Sequence, residues 1–472
     1  MGITQIFILA LIAILVGQLK KGRALALLAV SALAVYWLQP VQSQVNLTFW
    51  FPTFTLLVVV FSWWFIFSSR EQTWRRNLPA LLVLACVALV MGMNRYLHLE
   101  QVFITETPNL LLVGLTVAMI LSPALPLLHR GEDRRWRYIS LSIVLIILLA
   151  ITRLPFALNG MYESMLSLRG QELPETRTPF LWLGFSYVVF RLLHTIFDRM
   201  AGRLAPMPLA GFLNYIIFFP AFVAGPIDRY ERFARDLEQP VLLDRQGWLD
   251  GGERFFIGLF KKFVLADGLA WIALNQTFVT DIQSTAWLWV LLYAYSLQIY
   301  FDFSGYTDIA IGLGRFLGVR LPENFNAPYL KPNLTHFWSA WHMTLTQWFR
   351  SYYFNPVTRA LRSSSRKLPS YLIILITQVT TMVLIGLWHG ITINFLFWGL
   401  WHGVGLFLQN RWSNLVRDRL PAERMPHAAQ AALKYLNPIL TFNYVSLGWL
   451  FFMLPTPSLT WLAFQKLFGV AP

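Results

Sequence analysis

The chain contains very little cysteine and very little charge. Cys86 is its one cysteine and lies within an apolar run, which excludes a disulfide framework and a thiolate metal site. Charged residues make up 13% of the 472 residues, about half the share of a typical soluble domain. The composition therefore argues against a water-soluble protein.

Several motifs of soluble enzymes are also missing. The sequence has no phosphate-binding or dinucleotide-binding glycine pattern and no Gly-x-Ser-x-Gly nucleophile turn. It has no His-Glu-x-x-His motif, and we find no histidine and carboxylate cluster at metal-ligand spacing, so no bound metal or cofactor is expected. Imidazole chemistry remains, because a histidine can take up a proton near neutral pH.

Apolar residues are abundant instead. They make up 56% of the chain, which includes 20 Trp and 38 Phe. Since about 20 apolar residues cross the hydrocarbon layer, we predict an all-α integral membrane protein with about twelve transmembrane helices. The predicted spans are 3–17, 24–38, 48–67, 78–94, 109–128, 138–156, 178–197, 257–279, 286–303, 370–388, 391–410 and 438–454.

Basic residues predict how the chain crosses the bilayer. Loops 18–23, 68–77, 129–137 and 199–207 hold twelve Lys and Arg, whereas loops 39–47, 95–108 and 157–178 hold three. Cytoplasmic loops collect Lys and Arg, so the first set of loops is predicted to lie in the cytoplasm. The N-terminus is then predicted to lie on the opposite, outer side of the membrane. The net charge of +15 then reflects this bias, and no nucleic-acid partner is expected.

Three segments depart from the pattern of simple spans. Residues 209–224 are apolar but have basic residues on both sides, which predicts a re-entrant segment that is covered by protein. Residues 320–368 contain seven basic residues, one acid and several prolines, and are predicted to form a cytoplasmic-side layer. Residues 457–469 are too short to cross and are predicted to enter the bilayer at one side only.

His389 is one candidate for chemistry, because it lies between two apolar runs of span length. An ionisable residue at membrane depth is costly and indicates a functional site. Gly386 and Gly390 flank it and leave room for a substrate or for a neighbouring backbone. The alternative is helix packing through small residues, with the imidazole bonded to a carbonyl. A third histidine, His402, lies in a Trp-His-Gly sequence at the end of the next span, and for His402 a structural role is favoured.

His342 is the second candidate. Helical spacing from Asn333 onward places Trp338, His342, Thr346 and Arg350 on one face. That face would offer an imidazole, a hydroxyl and a guanidinium beside an indole. The alternative is an interfacial helix with aromatic belt residues.

For the other ionisable groups near the membrane, the sequence indicates structural roles. Asp302 and Tyr306 share a helix face, and Asp308 and Arg315 are spaced so that they could pair. Carboxylates in such positions usually neutralise a cation. The remaining histidines are predicted to lie at the surface (His98, His129, His427) or to be either buried structural or functional groups (His194, His336).

Eight runs in the second half of the chain resemble the membrane-bound O-acyltransferase family. The resemblance covers about residues 180–410 and is closest to the bacterial branch that contains alginate O-acetyltransferase membrane subunits and D-alanyl transfer proteins. One departure is Ser351, where this branch commonly has an acidic residue. The runs are Pro220–Pro226, Gly258–Phe263, Tyr300–Gly312, Leu321–Tyr329, Phe337–His342, Gly386–Gly390, Phe397–Gly399 and His402–Gly403.

The resemblance implies a ring of tilted helices around a central funnel and a single transmembrane domain over 1–472. Within it we expect variable N-terminal helices (1–175), a catalytic core (176–410) and C-terminal helices (411–472). His389 corresponds to the family's catalytic histidine and His342 to the second histidine of this branch. The expected substrate-binding residues are Asn324, Asn326, Trp338, Trp341, Arg350 and Trp388.

The reaction that this resemblance implies is acyl transfer, with acetyl as the first candidate, to a hydroxyl of an exported polysaccharide. The expected co-substrate is a cytoplasmic thioester, either acetyl-CoA or a phosphopantetheinyl carrier protein. A secreted acyltransferase-like or esterase-like partner is also expected. D-alanyl transfer toward teichoic acid, a transporter or flippase, and an integral glycosyl or lipid transferase are the alternatives.

Overall fold

In the computed structural model of the protein, every regular element among the described residues is helical, as the sequence predicts. The structure describes residues 2–40, 47–67, 74–94, 96, 108–124, 135–154, 160, 163, 167, 182–238, 244–365, 367–419 and 426–470. Its α-helices are α1 (Ile3–Gly17), α2 (Arg23–Trp37), α3 (Leu47–Ile66), α4 (Trp74–Gly92), α5 (Leu110–Leu121), α6 (Arg135–Thr152), α7 (Phe185–Met200), α8 (Leu209–Ile216), α9 (Tyr230–Glu238), α10 (Arg245–Phe260), α11 (Asp267–Ala270), α12 (Gln276–Asp281), α13 (Thr285–Phe316), α14 (Leu334–Trp338), α15 (Met343–Phe349), α16 (Asn355–Arg362), α17 (Ser370–His389), α18 (Ile393–Arg419), α19 (His427–Met453) and α20 (Pro457–Leu467).

Four of the described helices combine the length and the hydropathy that crossing a membrane requires. They are α3, residues Arg75–Gly92 of α4, α6 and α17. Helices α1, α2 and α5 are apolar but shorter. Most residues of the loops that set the predicted direction, such as 68–73 and 129–134, lie outside the described residues. The direction and the number of spans therefore stay predictions.

The chain divides into two compact units by its packing. The first unit comprises residues 1–255 and 309–322, and the second comprises 256–308 and 323–472. In the first unit, the Trp182 indole stacks on the rings of Phe51 and Phe185, with centroids 4.9 and 4.1 Å away. The boundaries that the sequence suggested for the catalytic core stay a prediction.

The apolar segment 209–224 is broken, which agrees with a segment that does not span. Helix α8 has eight residues and rises about 12 Å, against about 30 Å of hydrocarbon. A short 3₁₀ turn, Phe219–Ala221, follows it. The buried guanidinium of Arg191 donates to the carbonyls of Ile216 and Ala221, at 3.0 and 2.6 Å. A side chain from α7 thus satisfies backbone groups that the break leaves without helical partners.

The predicted span 257–279 does not match the helix bounds of the structure, and its crossing of the membrane stays a prediction. The helical run begins twelve residues earlier, at Arg245, and passes through a π-helical stretch, Lys261–Ala266, before it ends at Ala270. The first turns of this helical run are polar, so hydropathy does not reveal where the helix begins. Gly305 of α13 packs so closely here that a Cβ would lie 2.8 Å from both the Gly258 carbonyl oxygen and the Lys262 backbone nitrogen.

The second unit contains an antiparallel pair, α17 and α18, joined by a three-residue turn, Gly390–Thr392. Glycines allow their backbones to approach. A Cβ on Gly399 would lie 2.6 Å from the Cα of Val383, and one on Gly403 would lie 2.8 Å from the Cα of Val379. The last turn of α17, which carries His389, is therefore held against α18 by direct backbone packing.

Candidate active site

His389 is the last residue of α17 and is half-buried. Four aromatic rings surround its imidazole. The ring centroids of Trp388 and Phe452 lie 4.5 and 4.8 Å away, and those of Trp398 and Phe395 lie 5.6 and 5.9 Å away. This box fixes the plane of the imidazole while leaving part of it accessible.

The glycines beside His389 serve packing. A Cβ on Gly386 would lie 2.3 Å from the carbonyl oxygen of Phe395, and one on Gly390 would lie 2.7 Å from the ring of the same residue. The sequence left open whether these glycines make room for a substrate or for a neighbouring segment. At both positions the neighbouring segment fills the space.

His342 has an unusual backbone. Its φ of 43° and ψ of 53° are left-handed, which costs a non-glycine residue about 1 kcal/mol or more. His342 is the N-cap residue of α15, whereas α14 already ends at Trp338, so α14 and α15 are separate helices. The predicted continuous face through Trp338, His342, Thr346 and Arg350 is therefore wrong as a helix geometry.

Asn324 holds this break in place. Its backbone oxygen accepts from the Met343 N–H at 2.9 Å, and its side-chain oxygen accepts from the Thr344 hydroxyl at 2.7 Å. The Asn326 N–H donates to the Ala340 carbonyl on the other side of His342, at 3.0 Å. The extended segment 324–326 thus clamps both flanks of His342 and compensates for its strained backbone.

The His342 side chain is buried at 3% exposure. Burial lowers the pKa of His342 to about 3, because removing water penalises the charged imidazolium. Its imidazole is therefore neutral near pH 7. A neutral imidazole offers one N–H donor and one acceptor nitrogen.

Trp388 connects the two candidate histidines. Its ring centroid is 4.5 Å from that of His389 and 6.4 Å from that of His342. The indole is buried at 9% exposure. Both histidines singled out in the sequence therefore lie next to the same indole.

Three of the four residues predicted to share a face do line one cavity. Trp338, Thr346 and Arg350 border a cavity of about 730 Å³, together with Met343, Gln378 and Met382. Apolar surface dominates its lining, and Arg350 brings a cation to it. His342 and His389 are not among its lining residues.

The other predicted substrate-binding residues have different surroundings. Trp341 is 5% exposed, and its ring packs on Phe337 and Trp449 within an aromatic core. The Asn326 side chain is exposed, and only its backbone takes part in the clamp described above. Their contribution to substrate binding stays a prediction.

The acidic residues of α13 pair with lysines of the π-helical stretch. Asp308 accepts from the Lys261 ammonium at 2.7 Å, and Asp302 forms an ion pair with Lys262. Tyr306 lies between them in sequence and is buried at 8% exposure. The expected neutralisation by cations is thus present, but the suggested Asp308–Arg315 pair is wrong. Arg315 pairs with Asp250 at 3.3 Å, because α10 places that carboxylate beside the last turn of α13.

One histidine and carboxylate cluster was missed in the sequence. His194, Asp198 and Glu231 place possible ligand atoms within 4.8 Å of one another, and the spacing of the first two, one helical turn, was the signal. The two buried members, His194 and Asp198, already have partners. The His194 Nε2 accepts from the Tyr230 N–H at 3.3 Å, and Asp198 pairs with Arg203. This donor set fits a structural network better than a metal centre.

The remaining histidines divide by location. His336 is exposed on α14, and His402 is fully buried in α18. His98, His129 and the side chain of His427 lie outside the described residues. A surface position for these three stays a prediction.

Comparison with known proteins decides the family. The pattern of the membrane-bound O-acyltransferase family matches residues 14–454. The chain belongs to this family. It is therefore a membrane protein whose class of reaction is O-acyl transfer, and this replaces the transporter and glycosyltransferase alternatives.

Curated relatives share between 28% and 35% of their aligned residues with the chain. A teichoic acid D-alanyltransferase of Streptococcus thermophilus is 28% identical over 339 residues, covering 68% of this chain and 76% of the relative. A probable alginate O-acetylase of Pseudomonas aeruginosa is 30% identical over 341 residues, covering 71% and 61%. A peptidoglycan O-acetyltransferase of Helicobacter pylori is 35% identical over 254 residues, covering 52% and 44%. The chain thus spans less than two thirds of the length of the last two relatives.

Proposed function

We propose that this O-acyltransferase moves an acyl group, with acetyl as the first candidate, from a cytoplasmic thioester to a hydroxyl of an exported polysaccharide. The observation that carries the proposal is the histidine pair around Trp388. His389 is half-buried and accessible, whereas His342 is buried and neutral. One imidazole can exchange protons with a substrate while the other supplies a fixed hydrogen bond.

His389 acts as the general base in this mechanism. Its imidazole takes the proton of the acceptor hydroxyl as the hydroxyl oxygen attacks the thioester carbonyl carbon. A tetrahedral intermediate forms, with negative charge on the former carbonyl oxygen. The carbon–sulfur bond then breaks, and the leaving thiolate takes the proton back from the imidazolium. The products are an ester and a thiol, and His389 returns to its starting state.

His342 orients the acceptor hydroxyl. Its strained backbone and the Asn324 clamp fix the direction of the imidazole, and a fixed group loses little entropy on binding. The aromatic box around His389 limits the access of water, which protects the thioester from hydrolysis.

The donor enters from the cavity that Arg350 borders. A cation at the edge of an apolar cavity suits a thioester whose other end carries phosphate, either acetyl-CoA or a phosphopantetheinyl carrier protein. Residues 320–368 supply further basic residues on the side predicted to be cytoplasmic. The protein holds no cofactor in this proposal, because the thioester is a co-substrate.

The acceptor is inferred from the names of the relatives. Two of them are called an alginate O-acetylase and a peptidoglycan O-acetyltransferase, which supports a polysaccharide acceptor and an acetyl donor. D-alanyl transfer toward teichoic acid is the second candidate, since the relative with that name is covered over 76% of its length. The proposal also includes a secreted acyltransferase-like or esterase-like partner outside the membrane.

The proposed location is the plasma or inner membrane, with the N-terminus outside and residues 320–368 in the cytoplasm. A reporter enzyme that works only in the cytoplasm should be active when it is fused into loop 68–77 or 129–137. A reporter enzyme that works only outside the cytoplasm should be active when it is fused into loop 39–47 or 157–178. The opposite labels would place the thioester donor on the wrong side.

The experiment that tests the reaction uses vesicles that contain the protein and its secreted partner. Labelled acetyl groups on a thioester should become ester-linked to polysaccharide only when the protein is present. Replacing acetyl with D-alanyl distinguishes the second candidate. Passage of intact substrate without any ester would contradict the proposal.

A further inference from the structure

Three rings in the second unit are in mutual contact beside His389. The centroids of Trp338 and Trp398 are 5.6 Å apart, those of Trp338 and His402 are 5.1 Å apart, and those of Trp398 and His402 are 4.9 Å apart. Each pair meets edge to face. We refer to Trp338, Trp398 and His402 as the nitrogen triad.

All the ring nitrogens of the triad are buried without a hydrogen-bond partner among the residues that the structure describes. The three side chains are 6%, 1% and 0% exposed. Burying one such group unpaired costs about 1–3 kcal/mol, so four in one place require an explanation. Phenylalanine rings, which have no nitrogen, would avoid this cost.

The position of the triad links the cavity to the proposed base. Trp338 borders the cavity of about 730 Å³. Trp398 contacts His389, with ring centroids 5.6 Å apart. The imidazole of His402 is fixed on its far side by Gly448, where a Cβ would lie 2.7 Å from its Nε2. The rings therefore cannot turn freely to find other partners.

The chemistry of the triad specifies its ligand. Each indole is a donor only, and a neutral imidazole adds one donor and one acceptor. Three donors against one acceptor favour a ligand group that accepts hydrogen bonds. An oxygen that gains negative charge suits them best, since hydrogen bonds to an ionised acceptor are stronger.

We propose that the nitrogen triad binds the carbonyl oxygen of the acyl thioester and stabilises it as it becomes an oxyanion. This inference rests on the proposed function and identifies the donor's acyl end as the ligand. When the acceptor oxygen attacks the carbonyl carbon, the π electrons move to the carbonyl oxygen. The triad donors hold that charge until the carbon–sulfur bond breaks and the carbonyl re-forms.

Conservative variants test the proposal by kinetics. Trp338→Phe and Trp398→Phe keep an aromatic ring and remove one N–H each. Each should lower kcat at least tenfold, as loss of an oxyanion donor does, with little change in KM for the thioester. Trp449→Phe is the matched control, because its N–H already donates to the Tyr329 hydroxyl at 3.1 Å. A Trp338→Phe/Trp398→Phe double variant with wild-type kcat would overturn the proposal.

A binding measurement provides a readout that needs no turnover. The probes are pantetheine and its S-acetonyl derivative, a ketone in which a CH₂ group separates the sulfur from the carbonyl, so that no thioester can be cleaved. Pantetheine is common to CoA and to carrier proteins. Wild type should bind the ketone at least tenfold more tightly than pantetheine. The triad variants should lose this preference, and Trp449→Phe should keep it.

The two readouts separate the two claims. If wild type prefers the ketone but forms no ester, the proposed function fails and the carbonyl site stands. If wild type forms ester but binds both probes equally, the carbonyl site fails and the proposed function stands. Triad variants that lose thermal stability but keep both kcat and the ketone preference would show a structural role only and overturn the proposal.

Discussion

The side-chain oxygen of Asn324 accepts hydrogen bonds from the Thr344 backbone N–H at 3.3 Å and from the Thr344 hydroxyl at 2.7 Å. Asn324 is fully buried. Because Thr344 lies two residues after His342, these bonds fix the strained turn that presents the imidazole. Asn324, which the sequence predicted to bind substrate, thus supports His342, which is expected to take part in the reaction.

Asn324→Ala should lower activity about tenfold or more, since it removes buried hydrogen bonds worth roughly 1–3 kcal/mol and frees the His342 turn. Initial rates of ester formation measure the effect. Asn326→Ala is the comparison variant for stability, because its side chain is exposed and only its backbone N–H takes part in the clamp, so it should leave the melting temperature unchanged. A melting temperature of Asn324→Ala as high as that of Asn326→Ala would contradict the supporting role assigned to Asn324.

His342→Asn should reduce ester formation by about 100-fold and leave the melting temperature nearly unchanged. Asparagine tolerates positive φ better than alanine does, so this variant removes the imidazole without adding backbone strain. His336→Asn on the exposed side of α14 is the control and should retain activity. Full activity of His342→Asn would remove His342 from the mechanism.

Asp308→Asn should lower the free energy of unfolding by roughly 1–3 kcal/mol, because it leaves Lys261 without its closest charge partner. Asp308 is 5% exposed in this pair. The matched control is Asp302→Asn, whose carboxylate is 51% exposed and should contribute less than about 1 kcal/mol. Unfolding curves in detergent measure both. A larger loss in Asp302→Asn would reverse this ranking.

Arg320→Gln should show a pH-dependent loss of stability. Burial raises the pKa of Asp236, but the hydrogen bonds and charge of Arg320 outweigh it and leave the pKa below 3.8. Because folding lowers this pKa, the stabilisation is present above pH 3.8 and is lost as pH falls through the folded-state value. The melting-temperature gap between wild type and Arg320→Gln should therefore be full at neutral pH and narrow below about pH 3.8.

Arg362→Gln provides the control for that experiment. Arg362 lies in the same basic stretch, and its side chain is exposed. It should leave the melting temperature unchanged at every pH. A gap for Arg320→Gln that stays constant below pH 3.8 would contradict the assigned ion pair.

Hydropathy and spacing predicted the class of the fold well. The run Ile3–Gly17 and the helix that ends at His389 have bounds close to those expected, because long apolar runs leave little choice of structure in a bilayer. The start of α10 at Arg245 was not predictable, since its polar first turns resemble a loop. The π-helical stretch Lys261–Ala266 has no sequence signal of its own.

The sequence did not predict the geometry of the candidate site, and the roles of its two histidines stay predictions. His342 gave no indication of its left-handed backbone, because Gly and Asn are the usual residues there. Helical spacing predicted that Trp338 and Arg350 lie close together, and both do border one cavity. The prediction that they lie on one continuous helix was wrong. His402 was noticed, but only the structure shows that its imidazole packs against the indole rings of Trp338 and Trp398.

The central claim is that His389 is the general base of an acyl transfer. The most direct test measures labelled ester formed from an acyl thioester by purified wild type and His389→Ala, each reconstituted with the secreted partner. Wild type should form ester, and His389→Ala should lose at least 100-fold in rate while it inserts, folds and melts like wild type. Ester formation by His389→Ala at a near wild-type rate would contradict the account.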